Sequence, residues 1–320
     1  MSVKVAFIGA GFMAHQHLEV LARDPDVKVV GLCDTVRAKA EVAARRFGGR
    51  AYVDHRRMLD RSEPDAVYVC LPPFAHSSQE LDIIERKIAM FVERPVALDL
   101  GYGERVAAAV EAAGIITAVG YAWRYSDGVA IAKGLLQKRP AVLLRGHWLG
   151  KPRFPAWWGS KAMSGGQIVE QTTDLFDLAR HLVGDVKRVY ARAASLPLKA
   201  GSVGDIEGAS VVSLEFENGA VGEITQTCVL GFDCSSGLEL ITPGELIYLT
   251  YEGARIRTAN KEEVFINTRP PLEVENEAFI NAVKTGDPSG IKSDYMDGLQ
   301  TLTTTLYANY SMESGDVVRM

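Results

Sequence analysis

Residues 3–34 constrain the fold more than any other part of the chain. Val3-Lys4-Val5-Ala6-Phe7-Ile8 is a short β-branched and aromatic run that breaks into Gly9-Ala10-Gly11-Phe12-Met13-Ala14, a G-x-G-x-x-A turn. A helical pattern follows at once, and a second apolar run, Val27 to Cys33, ends on Asp34. Each part has a mechanical job. Gly9 allows a tight turn, Gly11 lets a pyrophosphate approach the backbone, and small Ala14 lets the helix pack close to the strand. A pyrophosphate then rests on the free N–H groups of the helix N-terminus, beside Phe12 and Met13. Asp34 stands where an acidic side chain holds a ribose 2′-hydroxyl. Lone glycine patterns are weak signals, but here the strand, turn, helix, strand and acid occur together and in order.

The first 120 residues continue this alternation. Strands are expected at Lys4–Ile8, Val27–Cys33, Ala66–Leu71, Met90–Val92 and Ile116–Val119. Helices are expected between them at Met13–Arg23, Arg37–Phe47, Ser78–Arg86 and Leu100–Ala113, the last stopped by Gly114. This pattern predicts a parallel α/β sheet with helices on both faces, a Rossmann domain over residues 1–120. After Tyr121 the pattern changes. A helix at Ser126–Lys138, a strand at Ala141–Leu149, a Pro- and Trp-rich loop and a helix at Gln167–Val183 precede a series of strands. These are Val186–Ser195, Glu207–Glu217, Val221–Val229, Ser236–Thr242 and Glu245–Thr250, with Asn218-Gly219 and Pro243-Gly244 as hairpin turns. Helices near Leu272–Thr285 and Asp294–Glu313 close the chain. Residues 121–320 therefore read as a C-terminal α/β domain with a mostly antiparallel, open-faced sheet, expected to supply the substrate side.

Composition excludes several partners. The net charge of −5 argues against nucleic acid or an acidic membrane surface. No apolar stretch approaches a membrane span, and no signal peptide is expected from the opening residues. The four cysteines form no C-x-x-C pair, which fits a reduced, cytoplasmic protein.

Three segments carry candidate chemistry. Cys70-Leu71-Pro72-Pro73-Phe74-Ala75-His76 leaves the carboxyl end of a parallel strand. Pro72 and His76 are expected to wall the cofactor, although His76 reads equally well as a polar residue in a first helical turn. Phe91-Val92-Glu93-Arg94-Pro95 also ends a buried strand, where charge needs a partner; either Arg94 faces the substrate or the pair sits on the surface. In Gly165–Asp177, Glu170, Asp174 and Asp177 recur at i, i+4 and i+7 on one expected helix face. That face is either catalytic or a solvated acidic stripe. No histidine lies among these carboxylates and no metal site is expected. Trp123, Arg124, Tyr125, Trp157 and Trp158 are candidates for stacking on a substrate ring or for interdomain packing.

These residues resemble the glucose–fructose oxidoreductase/inositol dehydrogenase (Gfo/Idh/MocA) family across almost the whole chain. The resemblance rests on the Gly9–Ala14 turn, Leu71-Pro72-Pro73 with His76, Glu93-Arg94-Pro95, Gly120-Tyr121-Ala122-Trp123-Arg124-Tyr125, Gly165–Asp177 and Asp294-Tyr295-Met296-Asp297-Gly298. It implies NAD or NADP and a sugar, polyol or related substrate. The departures are informative. Family members commonly read Glu-Lys-Pro where this chain has Glu93-Arg94-Pro95. They commonly carry Asp, three residues, then His where it has Glu170 and Asp174. None of the six histidines occupies position 174, and His181 lies two turns beyond, about 10 Å along a helix.

Arginine stays protonated, so Arg94 is expected to clamp an oxyanion rather than act as a base. Asp174 is the expected proton acceptor if burial favours its protonated form, with Glu170 polarising it or anchoring a second hydroxyl. The expected function is hydride transfer between the nicotinamide and a hydroxy or keto substrate. The alternative is a redox-inactive dinucleotide-binding sensor, regulator or partner subunit, and a third reading is NAD-dependent glycoside cleavage. Glu93 is assigned to the cofactor side. Asp34 favours NAD over NADP, and Arg37 and Lys39 nearby soften that preference. An open sheet face needs a cover, so a homodimer or homotetramer is expected.

Overall fold

The computed structural model describes residues 2–153, 155–194 and 204–320. The chain divides into two compact units: one runs through Tyr121 and takes up Leu272–Leu299, and the other comprises Ala122–Pro271 and Gln300–Met320.

The first unit is built on six strands, β1 (Val3–Ile8), β2 (Val27–Cys33), β3 (Arg50–Tyr52), β4 (Ala66–Val69), β5 (Ala89–Val92) and β6 (Thr117–Val119). They pair in the order β3-β2-β1-β4-β5-β6, parallel throughout. The order reverses at the β1/β4 boundary, which opens a crevice beyond the carboxyl ends of those two strands. Helices α1 (Phe12–Leu21), α2 (Arg37–Phe47), α3 (His55–Ser62), α4 (Gln79–Glu85) and α5 (Leu100–Ala113) make the crossovers. β1 and β4 are buried almost end to end, as strands covered on both faces must be. Asp99 caps α5 by accepting from the Tyr102 backbone N–H, and Gly114 closes it in the left-handed conformation.

An aromatic stack runs through this core. The Phe7 and Tyr68 rings lie 4.7 Å apart and Tyr68 and Phe91 4.8 Å apart. Phe279, fully buried, stands edge-on to Tyr68 and Phe91 at 5.4 and 5.5 Å.

The second unit begins with α6 (Asp127–Leu136) and β7 (Leu143–Leu149), followed by α7 (Lys161–Ser164), α8 (Gln167–Glu170) and α9 (Thr173–Val183). Seven strands follow: β8 (Val186–Ala193), β9 (Ala209–Phe216), β10 (Val221–Thr227), β11 (Ser235–Thr242), β12 (Glu245–Thr250), β13 (Gly253–Arg257) and β14 (Glu262–Ile266). The chain then passes through α10 (Pro271–Thr285), which carries Phe279 and belongs to the first unit, before α11 (Tyr295–Ser314) and the short β15 (Val318–Arg319). The sheet order is β14-β13-β12-β11-β7-β10-β9-β8-β15, antiparallel except for β7 against β10. One face packs on α6, α9 and Ala308 of α11. The other carries charge, with Arg145 paired to Glu223 and Glu239 on neighbouring strands.

The two-sheet α/β architecture expected from the sequence is the one observed, including both hairpin turns. Four features differ. The boundary is not a single one near residue 120, because α10 returns to the first unit to bury Phe279 and Ile280. β3 and α3 were not anticipated, since Arg50-Ala51-Tyr52 is short and α3 buries only Met58 and Leu59 among polar residues. β13 alternates over only five residues, and β14 has no buried residue, so neither stood out. The helix expected over Gln167–Val183 breaks at Gln171-Thr172, where the Thr172 N–H donates to Gln167, five residues back, and the Thr172 hydroxyl donates to the Gln167 carbonyl and to Gln226. Ser195, the expected end of β8, lies outside the described residues.

Phe279→Ala tests the return of α10. It should destabilise the fold by about 3–5 kcal/mol in urea denaturation. A loss below about 1 kcal/mol would contradict the packing described.

Candidate functional site

The glycine turn connects β1 to α1 against the end of β4. Gly9 has φ of 94°, and a Cβ there would sit 2.2 Å from the Cys70 carbonyl oxygen. Only glycine tolerates both the angle and the approach. Gly11 is the extended N-cap of α1 and offers no side-chain cap, while a Cβ on it would meet nothing within 4 Å. Ala14 is buried, whereas Phe12 is 76% exposed and Met13 is also exposed. The first turn of α1 thus presents uncapped N–H groups beside an open backbone, the arrangement that binds an anion.

Asp34, just past β2, closes the turn from the other side. Its Oδ2 accepts from the Ala10 N–H at 3.0 Å and its Oδ1 from the Val36 N–H at 2.8 Å. A carboxylate has about four lone-pair positions, so capacity remains for ribose hydroxyls. Arg37 opens α2 and lies 4.0 Å from Glu41, both largely exposed. The residues present therefore fit a dinucleotide.

Two further loops leave the carboxyl ends of β4 and β5. Pro72 precedes a single 3₁₀ turn, Pro73–Ala75, and His76 follows it. The His76 side chain is 1% exposed and its Nδ1 contacts Glu80 on α4. Glu80 also accepts from the Tyr102 hydroxyl of α5 at 2.6 Å. Burial alone would raise the Glu80 carboxyl, but the His76 charge and the bonds from His76 and Tyr102 bring it below the usual carboxylate range. At the end of β5, the buried Glu93 carboxylate contacts His17 of α1 at 2.7 Å and accepts from the Arg94 N–H at 3.2 Å. Arg94 is half-buried.

In the second unit the three carboxylates separate. Glu170 ends α8 and accepts the Trp158 indole N–H. Asp174 and Asp177 lie on α9, both buried. Asp177 takes two bonds from Arg124, at 2.7 and 2.6 Å, and one from the Thr301 hydroxyl at 3.2 Å. The continuous acidic stripe expected from spacing is thus corrected: the helix breaks between Glu170 and Asp174, and Asp177 belongs to a buried ion pair. Arg124 has its charge matched inside its own unit. Trp123 is a core residue, 5.8 Å edge-on from Tyr251, and Tyr125 is buried beside it in sequence. Trp158 packs with Ile206 and Cys228, with half-buried Trp157 against them.

Sequence reasoning missed His17, Glu80, Tyr102 and Glu207. The available signal was polarity on a buried helix face, as for His17 on α1 and Glu80 on α4. Glu207 accepts from the Gln167 N–H at 2.9 Å.

Comparisons with known proteins place this geometry in context. Residues 3–121 match the Gfo/Idh/MocA model described as an oxidoreductase family, NAD-binding Rossmann fold, and residues 141–241 match the Gfo/Idh/MocA C-terminal domain. The chain is 25% identical to the myo-inositol 2-dehydrogenase of Thermotoga maritima, over 99% of this chain and 98% of that one. It is 24% identical to the D-glucoside 3-dehydrogenase of Escherichia coli, over 99% and 97% respectively. A levoglucosan dehydrogenase solved in complex with NADH and levoglucosan shares the fold with a TM-score of 0.87 and 21% identity, covering 100% of this chain and 99% of that one.

Glu207 makes a pH prediction. Burial pushes its carboxyl up, against smaller opposing effects of backbone N–H groups and Lys161. A group raised on folding contributes stability that is complete below its unfolded value, about 4.3, and is lost as pH rises through the folded value. The melting temperature of Glu207→Gln should therefore gain on the wild type as pH rises above about 4.3. A difference that stays flat with pH would contradict a raised Glu207.

Proposed function

The chain belongs to the Gfo/Idh/MocA oxidoreductase family, and on that premise we propose that it is an NAD-dependent dehydrogenase of a sugar, polyol or related hydroxy compound. The observation that carries this reading is the glycine turn with the uncapped α1 N-terminus and Asp34, within a family whose Rossmann domain binds NAD. The inositol and glucoside dehydrogenases among its relatives support the substrate class. Asp34 favours NAD, because its carboxylate accepts from a ribose 2′-hydroxyl and repels a 2′-phosphate.

NAD, when bound, supplies the hydride acceptor. The chain must then hold the reacting oxygen and remove its proton. Arg94 holds that oxygen by charge and hydrogen bonds as negative charge develops on it. Asp174, 4% exposed, accepts the proton as general base. Glu170, oriented by the Trp158 indole, anchors a second hydroxyl. Pro72 and His76 bound the nicotinamide side of the cofactor, and Trp157 borders the sugar ring.

The protein is further proposed to be a cytoplasmic homodimer or homotetramer assembled through the outer face of the second sheet. Among the described residues no helix is long and apolar enough to cross a membrane. The paired Arg145, Glu223 and Glu239 on that face suit a polar interface.

The test is a panel of polyols, sugars and keto-sugars incubated with NAD or NADH and followed at the reduced nicotinamide band. Turnover with any member supports the dehydrogenase. Tight cofactor binding without turnover supports a redox-inactive binder, a reading favoured by the replacement of the usual lysine and histidine. Asp174→Asn should lower kcat by about 10²–10⁴-fold and leave NAD affinity nearly unchanged. Survival of full activity in that variant would remove Asp174 from the mechanism. In titrations NAD should bind more tightly than NADP, and the reverse order would refute the role given to Asp34.

A further inference from the structure

His17 lies on the inner face of α1 and is fully buried. Its two ring nitrogens face different partners: Nε2 is 2.7 Å from Glu93 Oε1, and Nδ1 is 3.0 Å from Asn276 Oδ1 of α10. The Asn276 amide is not free to turn. Its Nδ2 donates to the Leu272 carbonyl at 2.7 Å, and a carbonyl can only accept. Asn276 therefore presents its oxygen to His17, and Nδ1 must carry a hydrogen. Across the other contact, one hydrogen lies between Nε2 and the Glu93 carboxylate.

Glu93 is held tightly from other sides. Its Oε2 accepts the Arg94 N–H, and a Cβ on Gly120 would sit 3.0 Å from its Cδ and from both oxygens. An ionised carboxylate is the better acceptor for the Arg94 N–H, and charge-assisted bonds are shorter and stronger than neutral ones. Two titratable groups near this contact, Tyr68 and Cys70, stay neutral. Burial, followed by the Glu275 charge, holds the Tyr68 hydroxyl well above its usual value, and burial with the Glu93 charge does the same for the Cys70 thiol.

We propose that His17 is a positioning residue: an imidazolium, hydrogen-bonded through both nitrogens, that fixes Glu93 and so ties the Glu93-Arg94 turn to the dinucleotide helix α1. The kinetic consequence rests on the dehydrogenase reading; the protonation state does not. A shift of α1 on cofactor binding reaches Arg94 through two hydrogen bonds, His17 to Glu93 and Arg94 N–H to Glu93. A buried charge pair of this kind is costly to break from one side only.

Two measurements test this. The first is a long-range ¹H–¹⁵N correlation spectrum of the wild-type protein at neutral pH, with the His17 ring assigned through its Cβ. Both nitrogens should appear protonated. A bare Nε2, with the proton on Glu93, or a bare Nδ1 overturns the proposal. This spectrum needs no substrate, so it stands apart from any failure of the dehydrogenase assay. The second is His17→Gln, which keeps a donor toward Glu93 but no charge. Once a substrate is in hand, kcat should fall by about 10–100-fold, the scale of a misplacement of roughly an ångström, with KM and NAD affinity within about threefold. Unchanged kcat overturns the positioning role. So does NAD affinity falling in step with kcat, which marks a purely structural residue.

Discussion

The approach of Gly9 to the Cys70 carbonyl is the constraint on which the first unit depends. At 2.2 Å from that oxygen there is no room for a Cβ, so the β1 exit and the β4 exit lie backbone to backbone. The Gly9 N–H donates to the Cys33 carbonyl at 2.8 Å, and the Cys70 N–H donates to the Ile8 carbonyl at 2.8 Å. Three strand ends are thereby joined at the place where the strand order reverses. The crevice for a dinucleotide follows from this junction, because the strands must separate just beyond it.

Each polar position around the junction is backed by a carboxylate, half-buried at Asp34 and buried at Glu93 and Glu80. Asp34 holds the Ala10 and Val36 N–H groups, Glu93 holds His17 and the Arg94 N–H, and Glu80 holds His76 and Tyr102. In the second unit Asp177 holds Arg124 and Thr301 in the same way. Such groups are unfavourable to bury singly, and only complete satisfaction makes them tolerable. Their gain is geometric: the loops that leave the strands are held in one conformation. A binding surface built of loops then behaves as part of the rigid sheet.

Much of this was legible from residues alone. Strong periodicity located β1, β2, α2 and α5, and the spacing of Gly9, Gly11 and Asp34 marked the turn after β1 and the carboxylate that closes it. Weak segments were not legible for identifiable reasons. β3 is three residues long, and α3 is charged on most of its surface. The return of α10 to the first sheet is a long-range packing event, driven by Phe279 and Ile280, with no local sign. The acidic spacing of 170, 174 and 177 suggested one face of one helix, but spacing assumes an unbroken 3.6-residue period. Thr172 interrupts that period through its own hydroxyl. The partner of Asp177 lies 53 residues away, so the pairing could not be inferred from neighbours. His17 shows the same limit: a buried histidine is visible in a helical pattern, but Glu93 and Asn276 become its partners only in the fold.

The proposed hydride transfer relies on Arg94 to hold the reacting oxygen and on Asp174 to take its proton. The most direct measurement uses NADH deuterated at the transferring C4 position of the nicotinamide, incubated with keto-sugars and keto-polyols, with products read by mass spectrometry. The account predicts one deuterium on the carbinol carbon of a product. Bound NADH that delivers deuterium to no product across the panel would contradict it.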